Sequence, residues 1–355
     1  MKFMHLSGVR LGLSSESGRR WGEERVEEVA ESLERALLKA DEEKVDLVLI
    51  AGGLFAHRPV TAELENADRI FKDHPGIMFI IVAGEPDEIR PSSPVLSYRW
   101  SENVRYVLSG STEKISLPPL YTDIFARSFS PSAVSAEDLI AAGENDSTQP
   151  VKIGLLWESG LEKARDFKCS GFSYVALGGR GSHVEVIRDK AAYSGGLEPQ
   201  GMTDQGEHGF YIGEVSPVTG MLTSLRFFPS ASAAYVPLLI KVSTGTSPAE
   251  LSAILEKEIL RRGAQNIYRL RIAGKKLPDT VFDLSEIRSK YRIAEYLDET
   301  EPEYDFEALF NEHRGDMIGY FISSITKNRD DLPEIDKKAM YLGIDALLRT
   351  EGSQS

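Results

Sequence analysis

Asp46-Leu47-Val48-Leu49-Ile50-Ala51, closed by Gly52-Gly53, is the stretch on which the fold turns. A continuous apolar run of this length that stops at paired glycines reads as a strand buried on both faces. Toward the N-terminus, Lys2–Leu6 alternates apolar and polar as a strand does, and a polar turn follows. Glu23–Glu43 then places Val26, Val29, Ala30, Leu33, Leu37 and Ala40 at helical spacing. Toward the C-terminus, a helix is expected over Thr61–Asp73 and a strand over Ile77–Ala83, ending at Gly84. The order β-α-β-α-β predicts a sheet with helices outside it. Ligands of such sheets gather at the carboxyl ends of the strands, here the loops Ser7–Arg10, Gly52–His57 and Gly84–Asp87.

Further along, short strands are expected at Arg105–Leu108, Asp123–Ala126, Lys152–Leu156 and Tyr174–Leu177, with Ala142–Pro150 as a surface loop. Phe210–Val215 and Ser224–Phe228 read as a hairpin, and the small residues Ser230–Ala233 as a linker. This divides the chain into a first domain over 1–230 and a second over 231–355. The second offers a strand at Val236–Val242, and a helix at Ser247–Arg262 with Ser247 as N-cap and Glu250 three residues on. A strand is expected at Ile267–Ile272, an acidic linker at Asp298–Asp305, and helices over Phe306–Thr326 and Ile335–Leu348. The apolar stripe of Phe306, Leu309, Phe310, Met317, Ile318, Phe321 and Ile325 reads as core packing, with a partner surface as the alternative.

Composition bounds the function. The 355 residues are 41% hydrophobic and 27% charged, ordinary for a folded chain of two domains. A net charge of −14 argues against wrapping nucleic acid by bulk electrostatics, though not against a local basic groove. The pairs Arg261-Arg262 and Lys275-Lys276 read as solvated surface. Cys169, the one cysteine, has no partner for an internal disulfide and reads as structural. Without a long apolar run or a signal-peptide pattern, the expectation is a cytoplasmic chain with no membrane contact.

The segments KFMHLSGVRLG (Lys2–Gly12), DLVLIAGGLFAHRPV (Asp46–Val60), IIVAGEPDE (Ile80–Glu88), FSYVALGGRGSH (Phe172–His183) and EPQGMTDQGEHGFYIGEV (Glu198–Val215) stand in this order at strand ends. Together they resemble the SbcD-type DNA-repair exonucleases of the calcineurin-like metallophosphoesterases, over roughly residues 1–230. The C-terminal part is more weakly similar to the cap of the YhaO-like branch. The resemblance implies a four-layer α/β/β/α sandwich with a small C-terminal α/β cap. It also implies two divalent ions, typically manganese, and as partners DNA, a coiled-coil ATPase and a second copy of the chain.

Carried over position by position, the ligands of that family are missing. Gly8 and Arg10 stand where it has Asp and His, Gly53 and Ala56 where it has Asp, Glu85 for the bridging Asn, and Pro86 for a His. Trp157, in LLWES, replaces a further His, while Gly179 and Gly181 replace the last two. Asp87 alone keeps its identity. Glycine has no donor atom, arginine brings a fixed positive charge, and tryptophan brings an apolar ring. No metal, cofactor or catalytic residue is therefore expected.

Three readings of the altered site stand side by side. Arg10 with Glu85 and Asp87 forms an internal ion pair in place of the metals. Alternatively Arg10, with Arg58, holds a nucleic-acid phosphate without cleaving it, or His57, Glu85, Asp87 and His183 rebuild a metal site. His5 is expected to be a hydrogen-bonded core residue. At the level of function, the expectation is an inactive DNA-repair scaffold or subunit. The alternatives are an active phosphoesterase with rearranged ligands and a binding module for another phosphate compound.

Overall fold

In the computed structural model, β1 (Lys2–Leu6) leads into α1 (Gly22–Glu43), β2 (Leu47–Ala51), α2 (Thr61–Lys72), β3 (Met78–Val82) and β4 (Val104–Val107). The structure describes residues 1–13, 16–131, 136–160, 168–326 and 333–352. After β4 come β5 (Glu113–Leu117), β6 (Thr122–Arg127), α3 (Ala136–Asp146), β7 (Val151–Trp157) and β8 (Tyr174–Gly178). Four further strands, β9 (Val184–Ile187), β10 (Ala191–Tyr193), β11 (Gly209–Val215) and β12 (Leu222–Pro229), follow. By its own contacts the chain divides into two units, Met1–Tyr235 and Val236–Ser355.

The first unit holds two mixed six-stranded sheets, in the orders β12-β11-β1-β2-β3-β4 and β5-β6-β7-β8-β10-β9. In the first sheet β1 to β4 run parallel, and β11 and β12 close one side antiparallel. Alternate side chains leave opposite faces of a strand, and the two faces here have different neighbours. Phe3, Leu49 and Ile80 pack in one cluster with Ile124, Ile153 and Tyr174 of the second sheet. Met4, Ile50 and Ile81 pack instead with Leu33 and Leu37 of α1 and Leu64 of α2. Phe125 and Val175, on the other face of the second sheet, meet Leu139 of α3. Every residue of β2 is buried because both of its faces are covered, which is why its sequence does not alternate.

The second unit is built from β13 (Tyr235–Val242), α4 (Pro248–Arg262), β14 (Ile267–Lys276), α5 (Ser285–Lys290) and β15 (Arg292–Pro302), with a three-stranded sheet in the order β13-β14-β15. The cap of α4 is the reciprocal box read from the sequence: Glu250 N–H donates to Ser247 Oγ at 3.2 Å, and Ser247 N–H to Glu250 Oε2 at 2.9 Å. Then α6 (Phe306–Glu312), α7 (Met317–Thr326) and α8 (Glu334–Gly352) enclose Ile318, Ile322, Met340 and Ile344. Most of the apolar stripe packs on that core, while Met317 is 72% exposed.

Three segments differ from the sequence reading. Asp298–Asp305 is no linker, since β15 continues to Pro302 in parallel register with β14. Its acids are matched across the strands by Arg271 to Glu299 at 2.8 Å, Lys275 to Glu303 at 2.9 Å and Lys276 to Asp298 at 3.4 Å. The supposed loop at Ala142–Pro150 begins only after α3 ends at Asp146. The helical stretch Phe306–Thr326 is two helices, α6 and α7, with Asp316 accepting from the N–H groups of Ile318 and Gly319 between them.

Candidate functional site

The carboxyl ends of β1, β2 and β3 lie side by side in the first sheet, and those of β7 and β8 in the second. The loops that leave them are bound to one another through the backbone. Gly8 N–H donates to Gly52 O and Arg10 N–H to Gly53 O, each at 2.9 Å. Asp87 ties the next loop in, its Oδ1 accepting from Gly84 N–H at 2.7 Å and Gly53 N–H at 3.1 Å, its Oδ2 from Phe55 N–H at 3.3 Å. Burial pushes this carboxyl up to about 6, against the lowering effect of the N–H groups. The two sheets are joined here by Ser7 Oγ, 2.9 Å from Ser194 Oγ and donating to Gly195 O at 2.9 Å.

Trp157 ends β7, anchored through Glu158, whose N–H donates to Gly178 O at 3.0 Å and whose carbonyl accepts from Tyr193 Oη at 2.8 Å. Its indole lies on a bed of glycine backbone. A Cβ at Gly52, Gly84 or Gly178 would stand 2.6, 2.6 or 2.9 Å from the ring, and one at Gly53 3.1 Å. The side chain therefore occupies the room into which residues at 53 and 84 would otherwise project. At Gly181 a Cβ would fall 2.2 Å from Asp204 Oδ1, so a second space is filled by a carboxylate from another loop.

What remains open is a cleft of about 420 Å³, lined by Arg10, Glu85, Trp157, Arg180, Gln200, Thr203 and Asp204 together with glycines of the surrounding loops. Arg10 sits in the left-handed region at φ +62°, an uncommon conformation for a residue with a Cβ. Its guanidinium carbon is 5.9 Å from the Trp157 ring centre. Burial pulls its pKa below the ordinary value, against the opposing fields of Asp87, Asp204 and Glu85.

The loop that carries Gln200 is held by a buried ion pair. Arg25 of α1, 1% exposed, donates to Glu198 Oε2 at 2.8 Å, Glu28 Oε2 at 2.9 Å and Pro199 O at 2.8 Å. Burial opposes this charge, but Glu198 and Glu28 outweigh it and raise the guanidinium above its ordinary value. Glu198 Oε1 also accepts from Ser232 N–H at 2.7 Å.

The predicted residues are only partly brought together. Gly8, Arg10, Glu85, Trp157, Gly179 and Gly181 line the cleft. The expected ion pair does not form: among the described residues Arg10 has no carboxylate within ion-pair distance, and Asp87 spends both oxygens on backbone N–H groups. The four residues of the rebuilt metal site do not converge either. His57 is exposed and lies 3.4 Å from Glu63, while His183 stacks on Phe227 at 3.9 Å and shares a hydrogen bond of 3.1 Å with Tyr211 Oη. Arg58 is exposed and is not among the residues that line the cleft, and half-buried Pro86 separates exposed Glu85 from buried Asp87.

Among the described residues no group of three or more His, Cys, Asp and Glu side chains is arranged to hold a metal ion. The side chains at the strand ends, chiefly glycines, an arginine and a tryptophan, are not a donor set that fits a two-ion centre. His5 is wholly buried and shares a 2.9 Å hydrogen bond with Tyr174 Oη. Cys169 is buried in the cluster beneath α3, which pushes its thiol up to about 11. Sequence reasoning missed Gln200, Thr203 and Asp204, which carry no strand or helix periodicity. Their loop entered only as part of the resembling segment Glu198–Val215, with none of the three singled out, although Pro199-Gln200-Gly201 offers a turn signal. No family model and no curated protein matches this chain.

Proposed function

We propose that this protein is a non-catalytic relative of the calcineurin-like metallophosphoesterases, of the SbcD-type DNA-repair exonuclease branch, acting as a scaffold or subunit in the cytoplasm. In this reading the first unit is the four-layer sandwich of that family and the second its cap. DNA, a coiled-coil ATPase and a second copy of the chain are the partners that the resemblance implies. The observation that carries the loss of catalysis is Trp157 lying on Gly52, Gly53, Gly84 and Gly178, where a Cβ at any of them would crowd its ring. Phosphodiester hydrolysis by two ions needs oxygen and nitrogen donors that clamp both the attacking and the leaving oxygen. Here the strand ends present backbone, an indole, a guanidinium and the single carboxylate of Glu85, while Asp87 is turned to backbone N–H groups. Among the described residues no helix is long and apolar enough to cross a membrane.

The test is elemental analysis of the purified protein after incubation with manganese and zinc, beside a nuclease assay on double-stranded ends. The expected result is no stoichiometric metal and no cleavage. About two bound ions per chain with metal-dependent cleavage would overturn the reading.

A further inference from the structure

Arg10 is a functional group that the fold leaves unfinished. Its backbone is held in a strained conformation, and backbone strain that the surroundings enforce collects at ligand sites. Its Nε is buried with no hydrogen-bond partner among the described residues, and its guanidinium carbon lies 5.9 Å from the centre of the Trp157 ring. A buried donor without a partner is costly, so a ligand that supplies oxygen acceptors would be well received. Thr203 and Gln200 add a hydroxyl and an amide to the same cleft.

Two carboxylates shape the choice of ligand further. Glu85 is exposed at one side. Asp204 has Oδ2 engaged by Gln200 N–H at 3.0 Å and Oδ1 standing 3.7 Å from Nε2 of the buried His208. Carboxylates repel additional phosphates but accept hydrogen bonds from hydroxyls. With both acids on its wall, this cleft suits a single phosphate better than a run of them. The volume of about 420 Å³ is of the size that takes one small molecule.

We propose that this cleft binds a small phosphate monoester rich in hydroxyl groups, a nucleoside monophosphate or sugar phosphate, with Arg10 on the phosphate oxygens and Glu85 and Asp204 on the hydroxyls. The inference rests on the reading of the site as non-hydrolytic, since the ester is held and not cleaved. Planar guanidinium donors match two phosphate oxygens at once, which a point charge does not.

Calorimetric titration of the full chain with adenosine 5′-monophosphate, ribose 5-phosphate, inorganic phosphate, adenosine and a short single-stranded oligonucleotide tests this. At least one of the two esters is expected to bind, about tenfold or more tighter than free phosphate or adenosine. Arg10→Gln is expected to lower that affinity by about tenfold or more with an unchanged circular dichroism spectrum. Should that variant not fold, Arg10→Lys, which keeps the charge but not the fork, is expected to weaken the ester in the same direction. No binding of either ester, equal binding of free phosphate, or binding of the oligonucleotide alone would overturn the inference. Release of phosphate from a bound ester would uphold binding while overturning the non-hydrolytic reading, so the two failures are distinct.

Discussion

His5 and Asp87 are both wholly buried and shifted in opposite senses, so their effects on stability with pH oppose each other. Burial lowers His5 to about 3 from 6.5, so its neutral form stabilises the fold above pH 6.5 and that contribution is lost as pH falls toward 3. Asp87, raised to about 6 from 3.8, favours the fold most below pH 3.8 and loses that contribution as pH rises through 6. Between pH 6 and 3.8 the extra proton taken up by unfolded His5 is matched by that taken up by folded Asp87. These two groups together therefore predict a flat stretch there. Replacing His5 with Gln should remove its half of the balance, so that the variant gains on wild type as pH falls through this window, by about 2–3 kcal/mol. Urea unfolding midpoints of both proteins from pH 7 to 4 check this, and parallel curves would sink it. Gly84→Ala addresses the bed under the indole, since its Cβ would meet Trp157 at 2.6 Å and Gly53 N at 2.8 Å. With ring and backbone both in the way, a loss of about 1–3 kcal/mol in chemical unfolding is expected.

Helices and strands were legible wherever burial leaves a period in the sequence, and illegible where pairing partners are distant. Strand β2 and the Ser247–Glu250 cap could be read locally, because a covered strand is continuously apolar and a capping box spans four residues. Strand β15 could not, because its acids look like a linker until Arg271, Lys275 and Lys276 are set beside them. The site divides in the same way. Arg10 and Glu85 lie in loops expected at strand ends and Trp157 came from the resemblance, whereas Asp204 and Glu198 belong to a long loop without periodicity, and nothing local ties Glu198 to Arg25 of α1. Two experiments belong at this scale. Glu198→Gln should leave the buried Arg25 without its main counter-charge and cost about 3–5 kcal/mol, as the loss of one partner of a buried pair does. Arg25→Met combined with Glu198→Gln should cost less than the sum of the two single changes. Additive losses in urea unfolding would deny the coupling. The β14–β15 ladder is exposed, so reversing Arg271 to Glu should cost only about 0.5–1 kcal/mol and lose most of that effect in molar salt.

Each unit of the molecule carries its own apolar clusters, with Ile50, Ile80 and Val175 buried in the first and Leu255, Leu270 and Ile344 in the second. In the proposed reading the first unit is stable on packing, hydrogen bonds and the Asp87 and Arg25 anchors, without the contribution that a resident dication makes to a metalloenzyme. Linkage gives this a magnitude. An ion present at a thousandfold excess over its dissociation constant stabilises the form that binds it by about 4 kcal/mol. In a domain of this size, each kcal/mol moves the thermal midpoint by about 2–4 °C. A chain with an intact two-ion centre would thus lose about 8 °C or more when such ions are stripped by a chelator. For this protein, midpoints measured in millimolar manganese and in EDTA should agree to within about 1 °C, a difference of well under 1 kcal/mol. A midpoint that rises with manganese in this chain, and rises less once Glu85 and Asp87 are replaced by Gln and Asn, would mean that the strand-end loops rearrange around an ion. The packing of Trp157 on its glycines would then be only one of two states of the site.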